Sequence, residues 1–153
     1  MPYKTIIVAI DNDETSEDVC RRAVDLATTC AAQLHLIHIV EPLPPIAAPG
    51  VIGGAPFPPT PTDEEHQQSI EDANQQLSKL ATELGEIVTG CEVIESANTR
   101  NAIHEAGEAI NAELIIAGSH GRHGLSLFFS GSTANELLKD APCDVLAVRI
   151  SDE

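Results

Sequence analysis

Residues 5–10 (TIIVAI) form an unbroken apolar, β-branched run that stops at Asp11. A run of this length without polar alternation predicts a strand buried on both faces, as in a parallel sheet. The pattern then turns helical over residues 16–32. Val19, Ala23, Leu26 and Cys30 share one face, and Glu14, Glu17 and Asp18 gather at the N-terminal end, where the helix dipole favours negative charge. Residues 34–40 (LHLIHIV) predict a second strand. Residues 41–62 (EPLPPIAAPGVIGGAPFPPTPT) hold most of the prolines, which fix φ and remove donors, so irregular chain is expected there. A loop this long in a compact domain acts as a lid, as an interaction segment, or is simply mobile. Helical spacing returns over 63–83, with Ile70, Ala73, Leu77, Leu80 and Leu84 in register. A weaker third strand over 87–95 follows, then a helix over 99–112 carrying Ala102, Ile103, Ala106 and Ile110. Residues 114–117 (LIIA) predict strand four, 131–139 a short helix, and 144–150 (DVLAVRI) strand five.

Strands alternate with helices throughout. The alternation predicts an α/β fold, a parallel sheet with helices on both faces joined by right-handed crossovers. With 153 residues and no internal repeat, one domain spanning 1–153 is expected, with the proline-rich loop at 41–62 as its insertion. Hydrophobic residues make up 42 % but aromatic ones only 3 %, so the core must be aliphatic. The four cysteines, Cys20, Cys30, Cys91 and Cys143, form no CxxC pair and have no histidine at metal-ligand spacing. They read as small buried apolar residues in a reducing compartment. No leader-like segment and no membrane-length apolar stretch is present, so a cytoplasmic location is expected.

The formal net charge is −16. A charge of that sign repels nucleic-acid phosphates and anionic membranes, which excludes both as general partners. It also fits either ordinary solubility or adaptation to high salt.

In open α/β sheets, ligands bind outside the carboxyl ends of strands, where strand order reverses. The end of strand one, at Asp11, and the end of strand four, at Gly118, are therefore the places for chemistry. Strand four runs into GSHGRHGLSLFFSGSTANELL. Gly118 and Gly121 permit a sharp turn and close approach of backbone to a ligand. Gly131-Ser132-Thr133 opens a helix whose first amides lack intrahelical acceptors, a ready anion site with hydroxyl donors added. His120, Arg122 and His123 supply positive charge. The same residues also suit a plain turn and cap, since Thr133 and Glu136 have capping-box spacing. Neither a G-x-x-x-x-G-K-[ST] loop nor a G-x-G-x-x-G fingerprint is present. Leu125, Leu127, Phe128 and Phe129 read as anchors of the glycine loop. His35 and His38 read as structural or partly buried, and His104 as a solvated surface residue. Glu64, Glu65, Glu71 and Asp72 read as a solvated helix face. No nucleophile elbow, Cys–His pair or acid–base carboxylate pair emerges.

Gly118-x2-Gly121-x9-Gly131-Ser132 matches the G-x2-G-x9-G-[ST] signature of ATP-binding universal stress proteins. The likeness extends over nearly the whole chain, through YKTIIVAID, LHLIHIVEP, IIAGSHGRHGL and PCDVLAVRI. The chain thus resembles the universal stress protein family. The resemblance implies a three-layer sandwich on a five-stranded parallel sheet of order 3-2-1-4-5, the adenine nucleotide alpha hydrolase-like arrangement. It also implies a stress-response regulator that binds ATP or AMP, with Mg²⁺ where phosphates are bound, and acts through ligand-dependent contact with a protein partner. A homodimer paired through the last strand, from Asp144 to Ile150, is implied as well. By position, Ala9 and Asp11 would meet ribose or base, and Ile39 and Val40 adenine. Gly118, His120, Gly121 and Arg122 would line the ribose-phosphate region, and Gly131, Ser132 and Thr133 would hold the phosphates. The alternatives are an interaction protein of the same fold without nucleotide, or a slow ATPase.

The chain departs from that family's pattern at Ala9, where Pro is common, and at Asn12-Asp13, where Gly-Ser is common. Ala97-Asn98-Thr99 replaces Gly-x-Pro, and the proline-rich segment is unusual. Asp13 adds a carboxylate beside the expected anion site, whose field opposes phosphate unless a cation offsets it. The charge generates a test of its own: on the high-salt reading, the melting temperature rises steadily from low to molar KCl. A flat series leaves only solubility.

Overall fold

The computed structural model describes residues 2–10, 16–43, 51–52, 55–56, 62–118 and 137–148. The chain runs β1 (Thr5–Ala9), α1 (Ser16–Cys30), β2 (Gln33–Val40), then two-residue strands β3 (Val51–Ile52) and β4 (Ala55–Pro56). It continues through α2 (Asp63–Leu84), β5 (Val88–Glu95), α3 (Thr99–Ala109), β6 (Leu114–Gly118) and β7 (Asp144–Val148). Leu137 and Leu138 are also helical, inside the short helix expected over 131–139.

Five strands form one parallel sheet in the order β5-β2-β1-β6-β7. Counting only its own strands along the chain, that is the expected order 3-2-1-4-5. β1 lies at the centre because both of its faces are apolar. Alternate side chains of a strand point to opposite faces. Ile6 and Val8 join the core under α1 and α2, while Ile7 and Ala9 join the core under α3. β6 divides in the same way, with Leu114 and Ile116 on the first face and Ile115 and Ala117 on the second.

The first layer packs Val19, Cys20, Ala23 and Ala27 of α1, with Leu77 of α2, onto the sheet. The second packs Ile103 of α3 and Leu137 onto the other face. α2 begins with a reciprocal capping box. Glu65 donates its amide to Thr62 Oγ1 at 3.1 Å, and the Thr62 amide donates to Glu65 Oε2 at 2.8 Å. The helix stops at Gly85, whose φ of 92° belongs to glycine. Glu64, Glu65, Glu71 and Asp72 are solvent-exposed, as expected.

Four expectations are corrected. Residues 41–62 are not wholly irregular: β3 and β4 pair antiparallel, Val51 with Pro56 and Ile52 with Ala55. Gly53-Gly54 between them is a pair that two-residue hairpins favour, and a two-stranded ribbon tolerates Pro56 because each strand is an edge. α3 ends three residues before the expected 112, because Asn111 takes φ 55° and turns the chain. Cys91 is exposed, since β5 is an edge strand, whereas Cys20 is buried and Cys30 and Cys143 are intermediate. His104 is buried rather than solvated. α3 is covered on two sides, by the sheet and by Leu137, so its buried arc is wider than its apolar stripe.

No helix among the described residues is long and apolar enough to cross a membrane. The cysteine placement yields a prediction. Burial pushes the Cys20 thiol up to about 11, so it stays protonated at neutral pH. A thiol reagent at pH 8 should therefore modify Cys91 first and leave Cys20 unmodified until the protein unfolds, as read by peptide mass spectrometry. Equal rates for the two would contradict this packing.

Candidate functional site

The carboxyl ends of β1, β2 and β6 form a rim at the point where strand order reverses. β1 connects onward to β2 on one side, while β6 adds on the other. Ala9 closes β1, paired with Ile37 of β2 and Ala117 of β6. β2 runs on past that level through Ile39 and Val40, and β6 runs one residue further, to Gly118. The structure therefore brings Ala9, Ile39, Val40 and Gly118 to one rim. Ala9 and Gly118 are buried, and Ile39 and Val40 are half-buried. Asp11, His120, Gly121, Arg122, Gly131, Ser132 and Thr133 lie outside the described residues, as do Asp13 and His123.

The last backbone unit before Asp11 is fastened on both sides. The Ile10 amide donates to the Ile37 carbonyl at 2.9 Å. The Ile10 carbonyl faces His38 Nδ1 at 2.8 Å. A carbonyl only accepts, so Nδ1 carries the proton and donates. His38 was legible as a structural histidine, but not its partner. A polar side chain inside an apolar strand must find a hydrogen bond, and that signal was available in LHLIHIV.

Beyond β2, the Val40 carbonyl accepts from the Ser96 amide at 2.9 Å, which ties the end of β2 to the end of β5. His66 of α2 lies 3.2 Å from Glu95 at the same end. Glu41 and Glu95 are exposed there, so this part of the rim is acidic. Any phosphate bound at the rim must therefore draw its positive field from elsewhere in the chain. His120, Arg122 and His123, which follow β6 in sequence, are basic and lie outside the described residues.

A second concavity, of about 270 Å³, opens between α3 and the sheet and is lined by Ile7, Ile37, Ala106 and Ile110 around His35 and Glu92. It sits mid-sheet, since Ile7 and His35 pair two residues before Ala9. Burial pushes the His35 imidazole below its ordinary value, so it is neutral at pH 7. With no cation and one carboxylate among its described lining residues, this cavity offers phosphate no attraction from them. The His35 ring packs against Gly90, where an added Cβ would come within 2.7 Å of Nδ1. Among the described residues, no group of three or more His, Cys, Asp and Glu side chains is placed to hold a metal ion.

Comparison with known proteins agrees with this arrangement. The model of the Universal stress protein family matches residues 2–149. Universal stress protein A homolog 2 of Coxiella burnetii is 37 % identical over 150 residues, covering 97 % of this chain and 96 % of its own. A solved universal stress protein from Archaeoglobus fulgidus in complex with dAMP superposes with a TM-score of 0.60 at 21 % identity, over 99 % of this chain and 100 % of the other. A universal stress protein solved in complex with cAMP gives 0.59 at 20 % identity, over 99 % and 100 %. At such identities the solved structures speak for the fold, which is the nucleotide alpha hydrolase-like one.

The rim geometry predicts that His38→Leu, which leaves the Ile10 carbonyl without this donor, destabilises the protein by about 1–3 kcal/mol. Urea denaturation measures it, and an unchanged midpoint would show that the bond contributes nothing.

Proposed function

The chain belongs to the universal stress protein family, and on that premise we propose that it binds an adenine nucleotide at the carboxyl rim between β1 and β6. The observation that carries the proposal is the place of Gly118. It is both the last residue of β6, one position past the Ala9–Ala117 pair, and the first glycine of Gly118-x2-Gly121-x9-Gly131-Ser132. The signature thus starts at the switch point, where open α/β sheets bind ligands. The dAMP and cAMP complexes of the two related folds favour adenine as the base.

In this reading, Ile39 and Val40 offer the adenine an apolar wall, and Asp11 meets the ribose. His120, Gly121 and Arg122 approach the phosphates, which rest on the amides and hydroxyls of Gly131, Ser132 and Thr133. Asp11 and Asp13 oppose the phosphate charge, so ATP binds better with Mg²⁺ than without it. The ligand contacts the segment after Gly118 and so changes a surface that a protein partner reads in the cytoplasm. β7 is the outermost strand on its side of the sheet, which supports a homodimer formed by edge pairing.

Isothermal titration with ATP, ADP and AMP tests this reading. Millimolar nucleotide should give saturable heat. At a hundredfold excess over Kd, it should stabilise the protein by about 2.7 kcal/mol. Gly121→Val, which puts a branched side chain where phosphate approaches, should abolish both effects. No heat and no melting shift with any of the three would reject the reading.

A further inference from the structure

Small residues face the cavity between α3 and the sheet from both sides. Gly90 of β5 pairs with His35 of β2, which pairs in turn with Ile7 of β1. Paired residues of neighbouring strands point to the same face, so these belong to the face that α3 covers. A strand of a covered parallel sheet normally fills such space with branched apolar side chains. β5 offers Gly90 and then the exposed Glu92 instead. From above, α3 presents only Ala106, with Ile110 one turn on. The gap that results holds about 270 Å³. An apolar cavity of about 150 Å³ takes a benzene ring, so this one has room for a ring with a short substituent.

His35 gives the cavity its polar group. Its Nε2 lies 3.1 Å from Thr89 Oγ1, a contact in which either partner can donate. Its Nδ1 lies over Gly90, where a Cβ would come within 2.7 Å, and bonds to no described residue. Burial keeps the imidazole neutral at pH 7, so Nδ1 either donates or accepts, according to the tautomer that Thr89 selects. A ligand hydroxyl suits both cases, because it donates and accepts. Charge narrows the class further. The described lining holds no cation, and its carboxylate, Glu92, repels an anion. Glu92 is solvent-exposed, where pairing with an ammonium contributes little.

We propose that this cavity is a ligand site in its own right, for a small uncharged molecule with one ring and one hydroxyl. The ring lies between Ile7, Ile37, Ala106 and Ile110, and the hydroxyl bonds His35 Nδ1. Apolar walls with one well-placed polar group are the usual make-up of small-molecule pockets. The site sits mid-sheet, two residues before the Ala9–Ile37 pair at the rim, and goes beyond the nucleotide reading.

The full chain, titrated with p-cresol and followed by backbone-amide NMR, tests the proposal. Saturable shifts should appear at Gly90 and Ile110 and not at Gly118. Toluene keeps the ring and lacks the hydroxyl. The preference for p-cresol over toluene should fall about fivefold in His35→Phe, which removes one hydrogen bond. Ala106→Leu, which keeps His35 and fills the gap, should abolish the shifts, and it serves as the variant if His35→Phe does not fold. The anion p-toluate should shift neither Gly90 nor Ile110. No saturable shift with p-cresol, or shifts centred on Ala9 and Gly118, would overturn the site, as would undiminished binding in Ala106→Leu. An unchanged preference in His35→Phe would overturn the part given to His35. Binding of p-toluate, or tighter binding of p-methylbenzylamine than of p-cresol, would overturn the uncharged class. No readout involves nucleotide, so failure here is separate from failure of the nucleotide reading.

Discussion

Burial of β1 on both faces is the constraint from which the rest of the structure follows. Ile6, Ile7, Val8 and Ala9 are each at most 2 % exposed, which is possible only with strands on both sides and helices above and below. A parallel central strand cannot reach its neighbour by a tight turn, so each connection must be a crossover. The first crossover carries the chain to β2 and the later one brings β6 to the opposite side, which reverses the strand order beside Ala9. The crevice at that reversal is thus a consequence of core packing. The bonds of Ile10 to Ile37 and His38 then set the direction in which the chain leaves it.

The acidic character of the chain sharpens the question of anion binding. Of its positive side chains, Arg21 stands in the open beside Glu17 and Asp18, where ion pairs contribute little. Arg100 is committed to the end of the last helix. On the proposed reading, a phosphate would draw on backbone amides and on the charges near Gly121, so the glycine signature matters more there than net charge. The mid-sheet cavity beside His35 illustrates the opposite case: it has volume but lacks a field that would hold an anion.

The fold was legible where hydrophobic periodicity was strong. TIIVAI, LHLIHIV and LIIA could bury both faces only in a parallel sheet, and the spacing of Leu77 and its neighbours fixed the long helix. Strand order entered through the family resemblance, because periodicity does not say which strands are neighbours. Four features escaped for local reasons. A two-residue ladder between prolines has no periodic signal. Asn111 ends its helix through a backbone conformation that apolar spacing does not show. Cys91 is exposed because β5 is an edge, a property of topology. His104 is buried by an element more than thirty positions away in sequence, which no local pattern around residue 104 reveals. At the candidate site, the glycine spacing marked an anion site, and adenine came only from resemblance. Ala9, Ile39, Val40 and Gly118 share one rim of the sheet, while the other candidate residues lie outside the described ones.

The most direct test of the account is a backbone-amide NMR titration with ATP. Binding at the rim predicts saturable shifts at Ala9, Ile39, Val40 and Gly118, together with Gly131, Ser132 and Thr133, and none at Gly90 or Ile110. Shifts confined to Gly90, His35 and Ile110, or no saturable shifts at all, would contradict it.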